Sequence, residues 1–211
     1  MILAAVHPAV RSVRQSRRRS AGFTLLEMMV VVAIIAITTA LAAPAISRAV
    51  AISRADRANH DLMRVVRFGR SQAMAFGRTY LLRMVSSAGL TRAELWQGTT
   101  SACRLEQWGT ITATGPCAAP SFPGGNCVDY VESSSYAAGP HDVQFANGGL
   151  ELCFQPNGEM LTRVSGSGTA FTFPASGAVQ FTTTRLENGS PAGDPPRGVI
   201  VPISGAPRGL R

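Results

Sequence analysis

Lysine is missing from this sequence; all twenty basic residues are arginine. The bias is one of genome composition, not of function. It leaves the glycine-rich stretch Val164–Thr169 without the lysine that a phosphate-binding loop requires, so a hairpin loop is expected there. Charged residues of either sign are scarce, at 15 %. Histidine is scarcer still: His7, His60 and His141 lie far apart and no G-x-S-x-G or H-E-x-x-H pattern accompanies them. Hydrolase and metalloprotease constellations are therefore absent, and neither enzymatic activity nor a cofactor is expected. The four cysteines, Cys103, Cys117, Cys127 and Cys153, include no C-x-x-C, which argues against a metal site. Asn188-Gly189-Ser190 matches a glycosylation sequon by chance.

What is abundant is glycine and proline, 34 of 211 residues together, a composition that favours a loop-rich β domain. An apolar run, Phe23–Ala43, is long enough to span a bilayer, which takes about 20 residues. Arg11, Arg14, Arg17, Arg18 and Arg19 precede it, so the leader is expected in the cytoplasm and the C-terminal domain across the membrane. The formal charge of +8 drops to +3 if those five arginines are removed. An even number of cysteines beyond the run suits an oxidising compartment, with up to two disulfides in any of three pairings; buried free thiols are the alternative.

Glu27 interrupts the apolar run near its start. A carboxylate at the centre of a spanning helix costs about 2.5–3.5 kcal/mol. Neither an ordinary signal peptide cut after Ala40-Leu41-Ala42 nor a permanent anchor gains from it. A cut after Gly22 gives it a role. Phe23 then carries a charged amine one helical turn from Glu27, and the carboxylate sits where the helix dipole favours it. In a bundle of such helices, Glu27 of one subunit pairs with the amine of another and fixes axial register.

Gly22-Phe23-Thr24-Leu25-Leu26-Glu27 resembles the class III signal of type IV pilins and type II secretion pseudopilins. Pro44 falls where that family often has a proline. The resemblance implies cleavage between Gly22 and Phe23 by a membrane-embedded aspartyl peptidase, which also N-methylates Phe23. It further implies assembly through Phe23, Glu27 and Pro44 with other pilins or pseudopilins, on an inner-membrane platform. The expected division is a basic leader over 1–22, a transmembrane helix over 23–43, a continuing amphipathic helix over 44–77, and a periplasmic β-rich head over 78–211.

Past Pro44, which should kink or loosen the helix, Ala58, Leu62, Val65, Val66, Ala73 and Phe76 form a stripe expected to be buried, with Gly77 as the stop. Gly69 weakens the helix. Arg54, Arg57, Arg64, Arg67, Arg70 and Arg78, set against Asp56 and Asp61, read as a solvated face that meets acidic neighbours in an assembly, in preference to a nucleic-acid surface. Strands are expected at Arg78–Ser86, Leu90–Gln97, Trp108–Thr112, Asp142–Phe145, Leu150–Gln155, Met160–Val164, Ala170–Phe173, Ala178–Thr183 and Gly198–Ile203. Hairpin turns are expected at Ser87-Ala88-Gly89, Asn147-Gly148-Gly149 and Pro156-Asn157-Gly158, and irregular loops at Thr114–Gly139 and Asn188–Arg197.

A long helix followed by antiparallel strands predicts an α+β fold, its first half transmembrane and its second packed on a sheet or sandwich. Asp61–Leu82 and Glu151–Met160 resemble segments of GspH/FimT-like minor pseudopilins. That resemblance implies a structural subunit at or near the tip of a type II secretion pseudopilus. A minor pilin of a type IV pilus, for adhesion, motility or DNA uptake, is the second reading. A soluble secreted β domain is the third. Arg208 and Arg211 partly match a C-terminal arginine motif of DNA-uptake pilins; a frayed, solvated tail is preferred over two or three weak phosphate contacts.

Overall fold

The computed structural model describes residues 23–87, 90–104, 126–147, 149–164 and 167–210. The described residues divide at Pro44 into two units. One helix, α1, runs Leu25–Phe76. It starts where Thr24 caps it, its Oγ1 accepting the Glu27 N–H at 3.2 Å. It ends at Gly77, whose φ of +65° suits the left-handed residue that closes a helix, and whose N–H bonds to the Ala73 carbonyl. Pro44 lies inside α1. Having no N–H, it cannot serve the carbonyl of Ala40, one turn earlier.

The second unit carries ten strands among its described residues, all antiparallel. They are β1 (Tyr80–Ser87), β2 (Leu90–Gln97), β3 (Asn126–Glu132), β4 (His141–Ala146), β5 (Leu150–Phe154), β6 (Met160–Val164), β7 (Ala178–Glu187), β8 (Ser190–Pro191), β9 (Arg197–Pro202) and β10 (Arg208–Leu210). One sheet has the order β3-β2-β1-β5-β6; the other runs β10-β9-β7-β4, with β8 paired to β7. The fold is α+β, one long helix and antiparallel sheets.

A single core joins α1 to both sheets, from Ala55, Leu62 and Val66 to Leu95 and Phe154 on one sheet and Phe145, Phe181 and Val199 on the other. The helix stripe is Ala51, Ala55, Ala58, Leu62, Val65, Val66, Gly69 and Ala73, at the three- and four-residue spacing of one helix face. Gly69 sits in it because α1 lies close on β2 and β5; a Cβ there would be 2.6 Å from Leu95 Cδ1 and 3.2 Å from the Phe154 ring. The two sheets are tied by hydrogen bonds as well. The Phe145 N–H donates to Thr91 Oγ1 at 2.8 Å, and the Met160 N–H to the Ile203 carbonyl.

Several expectations are corrected. Phe76, at the very end of α1, is exposed. Asn147–Gly149 is not a hairpin turn: β4 and β5 belong to different sheets, so the segment is a crossover. Pro156–Gly158 does join a hairpin, β5–β6. Ala170–Phe173 is not a strand. Thr172 makes a single bridge to Thr162, and Pro174 supplies no N–H to extend it. The second half of the expected Thr114–Gly139 loop holds β3 and a 3₁₀ turn, Ser133–Tyr136. The loop at Asn188–Arg197 contains β8. The tail is not frayed: Arg208–Leu210 pairs with β9 over Gly198–Ile200. The expected strand at Trp108–Thr112 lies outside the described residues.

Candidate functional site at the N-terminal helix

Among the described residues, no apolar side chain from Phe23 to Pro44 is buried; Phe23, Leu25, Leu26, Val30, Ile34 and Leu41 are all exposed. This stretch holds the one helix, among the described residues, that is long and apolar enough to cross a membrane. The hydroxyls of Thr38 and Thr39 are closed off locally. Thr38 Oγ1 donates to the carbonyls of Ile34 and Ile35 at 2.9 and 3.0 Å, and Thr39 Oγ1 to those of Ile35 and Ala36 at 2.8 and 3.0 Å. A helix whose backbone and hydroxyls are satisfied internally is the form a bilayer accepts.

Glu27 is exposed and stands at the third helical position, with Thr24 as the cap. The T-x-x-E spacing is a capping-box signature visible in the sequence itself. It gives the carboxylate a first role, at the positive end of the helix dipole, before any partner is considered. Phe23 is 72 % exposed, Pro44 is inside the helix, and Gly22 lies outside the described residues. Phe23 and Glu27 thus both lie at the start of α1, and both are exposed among the described residues.

The head presents a different surface. The basic face expected to meet other subunits is largely used within the chain. Arg54 donates to the Ala137 carbonyl at 2.7 Å, and Arg64 pairs with Asp129 at 2.6 Å. Asp56 pairs with Arg197, and Asp61 accepts from the Tyr136 hydroxyl at 2.7 Å. Burial, then the bond to Asp61, pushes the Tyr136 phenol above its ordinary pKa. Just after Pro44, Ser47 Oγ lies 3.5 Å from His141 Nε2, and Arg48 lies 3.4 Å from Asp194. Asp194 also binds the buried Arg185 at 2.5 Å, and the hydrogen bond from Arg185 holds its carboxyl below the usual range. His60 lines a cleft with Asp56 and Arg197, whereas His141 packs against Arg185. Among the described residues, no group of three or more His, Cys, Asp or Glu is placed to hold a metal.

The outer face of the β3-β2-β1-β5-β6 sheet buries charge. Arg83 opposes Glu94 and Glu151 opposes Arg163 across the strands. Glu94 accepts from Trp96 Nε1 at 3.1 Å. Beside this ladder, Cys103 and Cys153 form a disulfide; Cys127 is also disulfide-bonded, and Cys117 lies outside the described residues. Arg208 is exposed on β10, and Arg211 lies outside the described residues.

One long helix, apolar over its first half and packed on antiparallel sheets over its second, defines an α+β protein. Residues 17–43 match the family model described as the prokaryotic N-terminal methylation motif. That motif is a type IV pilin-like prepilin signal, and it supports a place for the chain in the pilin superfamily. It implies processing by a prepilin peptidase and assembly with other pilins into pili or pseudopili. The apolar helix fits membrane anchoring. No curated protein and no solved structure matches the chain.

Proposed function

We propose that the chain is a structural minor pseudopilin of GspH/FimT type. It is cut between Gly22 and Phe23, N-methylated on Phe23, and built into a type II secretion pseudopilus at or near its tip. The match of residues 17–43 to the methylation motif carries this reading, because it covers both the processing site and the helix that would assemble. In the membrane the exposed side chains from Phe23 to Leu41 pack against the helices of other subunits, where shape and dispersion drive association. Glu27 pairs with the Phe23 amine of a neighbour. Each charge is costly alone in lipid and tolerable when paired, so the pair enforces register. The head stays in the periplasm, where Cys103–Cys153 remains oxidised.

Glu27→Ala tests the assembly step. The variant is expected to be cleaved and methylated normally yet to fail to enter filaments sheared from cells and probed with antibody to the head. Normal incorporation would remove the charge-pair account.

A further inference from the structure

The sequence holds three Asn-Gly pairs: Asn147-Gly148, Asn157-Gly158 and Asn188-Gly189. In each, glycine has no Cβ to shield its main-chain nitrogen from the asparagine amide beside it. The structure sets the three apart. Asn147 is buried; its Oδ1 accepts from the Gly149 N–H at 3.0 Å and its Nδ2 donates to the Leu150 carbonyl. Asn157 is exposed, yet its amide is held at both ends. Its Oδ1 accepts from the Glu159 N–H at 3.0 Å and its Nδ2 donates to Glu159 Oε2 at 2.6 Å. The Gly158 N–H is also taken, by the Gln155 carbonyl at 2.9 Å.

Asn188 and Gly189 form the two-residue turn between β7 and β8, with φ of +51° and +77° and both residues exposed. The Asn188 N–H donates to the Pro140 carbonyl at 2.8 Å. The Asn188 side chain and the Gly189 N–H make no hydrogen bond among the described residues. We propose that Asn188 is a site of spontaneous deamidation, and that its conversion loosens the loop carrying Asp194. The Gly189 nitrogen attacks the side-chain carbonyl carbon of Asn188. A C–N bond forms, the bond to the amide nitrogen breaks, and ammonia leaves with the proton given up by the Gly189 N–H. Water then adds to either carbonyl of the cyclic imide and opens it to aspartate or isoaspartate. Isoaspartate routes the main chain through the side-chain carbon and lengthens the turn by one atom. A two-residue turn sets hairpin register, so the pairs Glu187–Ser190 and Leu186–Pro191 are disrupted, with the bond from the Ala192 N–H to the Arg185 carbonyl at 3.0 Å. That frees the segment leading to Asp194, the partner of Arg185 and Arg48. The inference concerns the head alone and stands whether or not the chain is cut after Gly22.

The full chain in detergent micelles, held in mildly alkaline buffer made with water enriched in heavy oxygen, tests it. Each asparagine is followed by mass spectrometry after trypsin, which releases residues 186–197 as one peptide. Asn188 is expected to take up label about tenfold faster than Asn147 or Asn157, where two hydrogen bonds must open first. In denaturant the three rates should converge. Equal rates in the folded chain, or a lead of Asn188 that persists in denaturant, would overturn the assignment. Hydrogen exchange of the same peptide reads the second step. The Ala192 amide should exchange faster in converted chain, and unchanged exchange would overturn the loosening. Asn188→Gln, whose longer side chain closes no five-membered ring, should suppress both label uptake and the gain in exchange.

Discussion

The two halves of α1 share one helix and differ in everything around it. From Leu25 to Pro44 the side chains are larger and more apolar, yet none is buried among the described residues. From Ala45 to Phe76 the buried positions are mostly alanine, valine and glycine, and they lie against two sheets. Apolar character alone does not place a residue in a core. The second half is buried because small residues let the sheets come close. The first half, apolar apart from Glu27 and two threonines, stays exposed among the described residues.

That contrast can be broken by substitution, with stability of the full chain measured by denaturant melts in detergent. The largest effect is expected for Cys103→Ser, which opens a crosslink spanning 50 positions and should cost about 4 kcal/mol. Leu62→Ala, in the packed half, should cost about 3 kcal/mol, and Ile35→Ala, in the unpartnered half, should leave head stability unchanged. A comparable loss from Ile35→Ala would erase the distinction between the halves.

Two smaller effects sharpen the account of the head. Tyr136 stays protonated in the folded state above the pH at which the unfolded phenol ionises, about 10. Stability is therefore full below that pH and falls above it. Tyr136→Phe should remove the alkaline decline and cost about 1 kcal/mol at neutral pH. Asp194 has a depressed folded pKa, so its contribution is present above the ordinary carboxylate range and lost as pH falls through the folded value. Asp194→Asn should flatten the acid side of the stability profile. An unchanged acid slope would show that the Arg48–Asp194–Arg185 contacts do not hold that part of the head.

Where periodicity was strong, the sequence was legible. The helix stripe through Leu62 and Val66, the stop at Gly77, and the strands Leu90–Gln97 and Met160–Val164 follow directly from residue pattern. Where main-chain pairing decides, the pattern was mute. β10 has only Leu210 as an apolar residue and is held by backbone bonds to β9, with Gly209 so close to α1 that a Cβ would meet Met63 Cε at 3.0 Å. The Asn147–Gly149 turn has the chemistry of a hairpin, yet which sheet receives the next strand is a property of the whole fold. Arg70 looked like one member of a basic face. Its place beside Val66, Gly69 and Ala73 on the buried stripe was the available signal that it points inward. At the N-terminus, the position of Glu27 was legible from chemistry, and the T-x-x-E cap that seats it was overlooked.

The central claim is that the apolar half of α1 begins at a processed Phe23. Mass spectrometry of the mature N-terminal peptide, from chain expressed with a prepilin peptidase, tests it most directly. The expected peptide starts at N-methylated Phe23. A peptide starting at Ala43, or one that still carries the arginines before Gly22, would contradict the claim.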